Sequence, residues 1–366
     1  MIRAGIIGFA HMHVNEIALY ISEHPDFELV AAADAKSGVE EIPPYRYTPA
    51  WNRDNIRENY CKNIYSDYRE MLEKENLEIV FILTENSLKR CVFEDCAKKK
   101  INIVVEKPMA VSYKEAVEMG KIAEKYGIEA YVNWPVAWRE YLHKFKFALD
   151  NKIVGEPEKL RYINGHTGPL GKGAQHRGVS AKAEEMTDEM RGKTWWHQQK
   201  YGGGVYLDIG CYGCFFTAWL LGRGKSVFAC GNNLNTPFGD TDDNFAATVR
   251  FNENKLSFIE GTWTTPRAVI PSGPSLLCSN GIIKCTGGAE NAPDVTAYDI
   301  YGKEVKIPEY SFPAHLKNMP TYYAAKKKSE CGEFDMVSLK KNIEIMGMLD
   351  ALQKSAKEKK EEKISG

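Results

Sequence analysis

The chain has 366 residues, longer than one typical core, so two domains are the default. Lys and Arg number 48 against 49 for Asp and Glu, and a net charge of -1 removes the usual grounds for expecting a nucleic-acid or membrane surface. No apolar run approaches the ~20 residues needed to span a bilayer, no signal-peptide pattern precedes the first strand, and nine irregularly spaced cysteines fit reduced thiols better than a disulfide framework, so a cytoplasmic location is expected.

Residues 2–7 read as a short buried strand, and Gly8-Phe9-Ala10-His11-Met12-His13 as the turn into a helix. In a dinucleotide-binding G-x-G-x-x-G turn the first glycine makes the bend, the second admits the pyrophosphate and the third lets helix and strand pack. Gly8 holds the first place, Ala10 the second at the cost of one methyl, and His13 the third. His11 and His13 either face the phosphates or substrate or are polar residues at a helix start. The second strand, 27–33, ends at Asp34, where an acidic side chain binds the ribose hydroxyls of NAD and repels the 2′-phosphate of NADP. NAD is favoured, although Lys36 stands close enough to accept a phosphate. Residues 37–63, with Pro43-Pro44, Tyr45, Tyr47 and Trp51, read as a polar surface insertion or a rim over the cofactor.

A strand at 63–66, a helix at 67–75 and a strand at 78–83 follow, the last ending in Thr84-Glu85-Asn86-Ser87, small polar residues suited to ribose and nicotinamide. After a helix at 88–100, the apolar run 101–105 reads as a buried parallel strand that delivers Glu106-Lys107-Pro108. In an open α/β sheet, ligands bind at the carboxyl ends of the strands, so this Glu-Lys pair points at whatever the sheet holds. Pro108 permits a cis bond that would aim the lysine in one direction. The plainer alternative is two solvated charges before a helix-starting proline. A helix at 111–126 and a strand at 129–132 complete a parallel-sheet dinucleotide-binding domain, residues 1–130.

Beyond it, strands are expected at 159–165, 226–232, 244–251 and 255–264, with further candidates at 275–285 and 295–306 and a closing helix at 334–360. Asn133 and Trp134 end the last strand of the first domain, near the cofactor's reactive end, though Trp134 serves equally as core. The glycine-rich stretch 165–173 carries His166 and, with His176 and Arg177, reads as a loop able to cover a polar ligand. Trp195-Trp196-His197 offers aromatic faces for a sugar ring. Each of these histidines could instead be an ordinary surface residue. Cys211-Tyr212-Gly213-Cys214 is formally a C-x-x-C but lies inside the Gly202-to-Tyr212 motif. The histidines lack metal-ligand spacing, and no metal is expected.

The order Gly8 turn, Asp34, Ser66-Asp67-Tyr68-Arg69-Glu70-Met71-Leu72, Thr84, Asn86, Glu106-Lys107-Pro108, Asn133 and Gly202-Gly203-Gly204-Val205-Tyr206-Leu207-Asp208-Ile209-Gly210-Cys211-Tyr212 resembles the glucose-fructose oxidoreductase / inositol dehydrogenase / rhizopine-catabolism (Gfo/Idh/MocA) family over nearly the whole chain. The resemblance implies an α/β fold: an N-terminal Rossmann domain plus a C-terminal α+β domain, residues 131–366, with a large, mostly antiparallel open sheet whose outer face serves homo-oligomers. It implies NAD and a small carbohydrate or glycoside substrate. Lys107 would bond the reacting oxygen, its ammonium form disfavoured by burial and the nicotinamide, and Glu106 would bind the nicotinamide side. Asp208 would orient a neighbouring hydroxyl and Lys107. Tyr212 matches the subset with Tyr rather than His at that place and would take the hydroxyl proton, although residue types leave Lys107 and Tyr212 both open as the base. The histidine-bearing turn and polar loop resemble members that oxidise the 3-hydroxyl of glucosides. A glycosidase acting through transient C3 oxidation and a non-catalytic sensor are the alternatives.

Overall fold

The computed structural model describes residues 1–171, 186–266, 269–286 and 293–366. The first half alternates strand and helix: β1 (Ile2–Ile7), α1 (Val14–Glu23), β2 (Phe27–Ala33), α2 (Pro49–Asn59), β3 (Ile64–Tyr65), α3 (Tyr68–Lys74), β4 (Ile79–Ile82), α4 (Lys89–Lys98), β5 (Asn102–Glu106), α5 (Tyr113–Tyr126) and β6 (Ala130–Asn133). All six strands are parallel in the order β3-β2-β1-β4-β5-β6. β4 is buried along its whole length, as a strand covered by helices on both faces must be. The order reverses between β1 and β4, so the crevice lies beyond Gly8, Thr84 and Glu106.

The second half adds α6 (Glu140–Asp150), β7 (Pro157–Gly165), α7 (Asp188–Lys193), α8 (Cys211–Leu220), β8 (Ser226–Asn232), β9 (Asn244–Arg250), β10 (Leu256–Thr262), β11 (Gly273–Cys278), β12 (Gly281–Thr286), β13 (Asp294–Asp299), β14 (Glu304–Val305), α9 (Met319–Lys327), α10 (Leu339–Glu358) and β15 (Glu362–Lys363). Its nine-stranded sheet runs β14-β13-β12-β11-β7-β10-β9-β8-β15 and is antiparallel except where β7 meets β10. Alternate residues of β9 and β10 are buried, the pattern of a sheet with one covered face. No helix among the described residues is long and apolar enough to cross a membrane.

Three expectations change. The stretch 37–63 is not a plain insertion: Thr48 caps α2, accepting from the Trp51 N–H, and Pro49 starts the helix. The run 275–285 is two strands, split where Ser279-Asn280 makes a two-residue hairpin turn and Cys278 pairs with Gly281. The last helix begins at the Ser338 cap, after a separate 3₁₀ turn at Asp335–Val337.

The α2 segment is tied to the glycine turn through one buried amide. Asn52 Nδ2 donates to Phe9 O (2.9 Å) and Tyr47 O (3.0 Å), while its Oδ1 accepts from Asn15 Nδ2 (2.8 Å). Asn52→Ala leaves buried polar partners without bonds and is expected to lower the unfolding free energy by about 1–3 kcal/mol, measured by urea denaturation. An unchanged midpoint would show that the amide is not holding the segment.

Candidate active site

At the end of β1, Gly8 turns with φ +91, and a Cβ there would lie 2.7–2.9 Å from Thr84 atoms. Only glycine fits both the angle and the space. Asp34 closes β2, and Lys36, exposed and at φ 54, donates its backbone N–H to the Asp34 carboxylate (3.0 Å). Phe9 packs into the main core, while Ala10 and Met12 join Tyr47, Trp195 and Trp196 in a small second apolar cluster over the turn. A turn opening on a helix N-terminus, with an acid at the tip of the second strand, fits a dinucleotide.

The Lys107-Pro108 peptide is cis. Glu106 is buried and held from two sides: Oε1 by His13 Nδ1 (2.9 Å) and Oε2 by Asn133 Nδ2 (2.8 Å). Burial opposes its charge, but His13, Asn133 and Lys107 hold its carboxyl below the usual range. Lys107 Nζ lies 3.0 Å from Asp208 Oδ1 and 4.6 Å from the centre of the Tyr212 ring. Burial does disfavour its ammonium, as expected from sequence, yet Tyr212 and Asp208 outweigh it and raise Lys107 well above the ordinary lysine range. Asp208 shows the matching shift: despite burial, Lys107 and His166 keep its carboxylate ionised.

Asp208 sits on a π-helical turn, Tyr206–Gly210, that leads into α8. Such widened turns recur at functional sites. Its second oxygen, Oδ2, accepts from Trp263 Nε1 (3.0 Å) and meets His166 Nε2 (3.3 Å). Both halves of the chain therefore converge on one carboxylate.

The two halves match family profiles separately. Residues 2–134 match the oxidoreductase family with the NAD-binding Rossmann fold, and residues 143–284 match the GFO/IDH/MocA C-terminal domain. The chain belongs to the Gfo/Idh/MocA family. It is 24% identical over 267 residues to 2,7-anhydro-N-acetylneuraminate hydratase of Escherichia coli, covering 71% of this chain and 61% of that protein. Similarity to myo-inositol 2-dehydrogenase of Thermotoga maritima is 22% over 202 residues, 54% of this chain and 53% of that one. The WlbA dehydrogenase of Bordetella pertussis, solved with NADH and UDP-GlcNAcA, shares the fold at TM-score 0.75 and 17% identity, covering 100% and 99% of the two chains. The Rossmann domain is thus NAD-binding.

Several residues expected at the substrate stand elsewhere. Trp195 and Trp196 stack on each other at 3.8 Å between ring centres, and Trp195 Nε1 donates to Ala10 O (3.0 Å). Trp196 lies against His11 (4.9 Å), so the pair packs on the cofactor turn and offers no open face to a sugar. His197 is not a surface residue: it is 1% exposed, edge-on to Trp263 and Phe238, and burial pushes its pKa down to about 3. Trp134 is core, donating to Asn342 Oδ1 (2.7 Å) beneath Tyr212. Asn133 has both amide ends engaged, with Glu106 and with Trp138 Nε1 (3.1 Å), and orients Glu106. His176 and Arg177 lie outside the described residues. The thiols of Cys211 and Cys214 are buried and pushed up, Cys211 to about 12, which suits core packing.

The H-x-H spacing of His11 and His13 does bring both imidazoles near Glu106, with three ligand atoms within 4.8 Å. They stand at the positive end of α1, which disfavours a cation, and His13 already bonds Glu106.

Sequence reasoning missed Lys89. Fully buried, its Nζ donates to Asn86 Oδ1 (2.7 Å) and reaches the carbonyls of Glu106 (2.7 Å), Lys107 (3.2 Å) and Pro108 (2.8 Å). Burial pushes its pKa down to about 7. Asn86 in turn donates to Gly202 O (2.7 Å) and Thr84 Oγ1 to Glu85 O, so these strand-end residues brace the crevice wall. Glu85, in the same strand end, is buried against Ser37, and burial raises its pKa. Lys89→Met withdraws the donor from three buried carbonyls and is expected to lower the unfolding free energy by roughly 3 kcal/mol. Equal denaturation midpoints for the variant and wild type would remove Lys89 from this role.

Proposed function

We propose that the protein is an NAD-dependent oxidoreductase that moves hydride between the nicotinamide and a secondary hydroxyl of a sugar, polyol or glycoside, with C3 of a glycoside as the narrower assignment. The observation that carries this is the buried Lys107–Asp208 pair at the carboxyl end of β5, beside the NAD-binding turn. The inositol-acting relative and the fold shared with a nucleotide-sugar-bound dehydrogenase support a polyhydroxylated substrate. Bound NAD supplies the hydride acceptor. Lys107 Nζ, kept charged, donates to the substrate oxygen and stabilises negative charge as its proton leaves. Asp208 fixes that ammonium, and Glu106, held by His13 and Asn133, faces the nicotinamide side. Lys107, Asp208 and Tyr212 stand together, which weighs against a sensor that needs no such group.

A second reading has one observation in its favour. The Trp195–Trp196 pair covers the turn that would hold the pyrophosphate, an arrangement suited to retaining NAD between turnovers. Retained NAD fits transient oxidation followed by elimination and reduction, as in a glycosidase that releases sugar without net NADH.

The test begins by denaturing purified protein and identifying any released nucleotide by chromatography. Reduced-nicotinamide absorbance is then followed while glucosides, free sugars and inositols are screened. The expected outcome is NAD rather than NADP dependence and a signal with at least one polyhydroxylated compound. Lys107→Met is expected to cut kcat/KM about 100- to 1000-fold, the usual scale for an oxyanion donor. Near wild-type turnover in that variant, or no signal across the screen together with no sugar release, would sink the proposal.

A further inference from the structure

The hydroxyl proton needs an acceptor, and the family resemblance points to Tyr212. The geometry favours another residue. Lys107 carries its ammonium over the face of the Tyr212 ring, and burial pushes the phenol's pKa up, so Tyr212 reaches neutral pH protonated. Asp208 meanwhile has a second partner. His166 Nε2 stands 3.3 Å from Oδ2, and the His166 backbone N–H donates to Thr262 O (3.1 Å), so the ends of β7 and β10 fix the residue's place. The imidazole is 25% exposed, against 11% for the Asp208 side chain and 2% for that of Lys107. Of these three side chains it is the most exposed.

We propose that His166, oriented by Asp208, exchanges the proton of the substrate hydroxyl, a step that rests on the hydride-transfer function proposed above. Nε2–H donates to Asp208, which leaves the opposite ring nitrogen, Nδ1, to accept. In oxidation the O–H bond breaks and its proton passes to Nδ1, while the C–H bond breaks and its hydride passes to bound NAD. The alcohol becomes a ketone, NAD becomes NADH, and the imidazolium is held by Asp208 until solvent removes the proton. Tyr212 becomes the platform under Lys107. Among the described residues, the charged groups by the imidazole include Asp208 in contact, Lys107 on the other oxygen of Asp208, and Arg191 of α7, whose Nη2 donates to Thr167 O (2.8 Å) beside it. His197 stands behind Trp263, neutral and buried.

A base must be neutral to act, so kcat/KM for oxidation is expected to fall toward acid pH. His166→Gln keeps a hydrogen bond to Asp208 without a titrating group. With the best substrate of the screen, it is expected to lose about 100-fold in kcat and the acid limb of its pH profile, whereas Tyr212→Phe keeps that limb. A His166→Gln protein with the wild-type acid limb would overturn the proposal. A substrate-free arm uses protein labelled with ¹⁵N-histidine. Asp208→Ala is expected to lower the share of the Nε2–H tautomer of His166, because the ring loses the carboxylate that holds that proton. If that variant fails to fold, the wild-type ¹⁵N shifts decide: the dyad requires Nδ1 bare and Nε2 protonated at high pH, and an Nδ1–H tautomer sinks it. Silence across the whole screen refutes the proposed function, whereas an unmoved tautomer balance in the variant refutes the dyad itself.

Discussion

The Asp208 carboxylate is the point on which both halves of the chain depend. One oxygen takes Lys107 from the parallel sheet, and the other takes Trp263 and His166 from the antiparallel sheet. A buried charge is tolerable only when paired and hydrogen-bonded, and here each charge supplies the other's compensation. Removing either partner costs more than the pair contributes, because the survivor stays buried. The relative placement of the two sheets at the crevice is thus tied to the chemistry that the crevice can perform.

The Glu106-Lys107-Pro108 segment is held with unusual completeness. Glu106 is gripped by His13 and Asn133, Lys107 by Asp208, and the three carbonyls by Lys89. Burial depresses the pKa of Lys89 against the opposing charge of Glu106, so its ammonium depends on the carbonyls and the Asn86 amide that accept from it.

The parallel domain was legible from apolar runs and strand-end punctuation because β1, β4 and β5 are buried on both faces. Asp34 and Glu106-Lys107-Pro108 were legible for the same reason: strand ends in such a sheet converge on one crevice. Lys89 was not, since a lysine beside Arg90 at a helix start has the pattern of a solvated face, and only the fold brings it under the β5 turn. The α2 helix was hidden by its polarity: only Asn52 and Ile56 of it are buried, too few for a periodic signal. Trp195-Trp196 misled because aromatic residues before a glycine run suit either an open platform or a packed lid. Burial alone separates the two.

The histidines of the first turn follow from the same constraints. A glycine at the third place of a dinucleotide turn normally lets the helix pack close to the strand. His13 stands there instead, and its ring spends that space on Glu106, two strands away in the sheet order. Ala10 in the second place gives up its carbonyl to the Trp195 indole. The turn therefore trades plain close approach for side-chain contacts that lock it to the β5 end on one side and to the second half of the chain on the other. A cofactor bound there would be enclosed by the same residues that position the reacting groups, which links how firmly it is held to how the site performs its proton and hydride transfers.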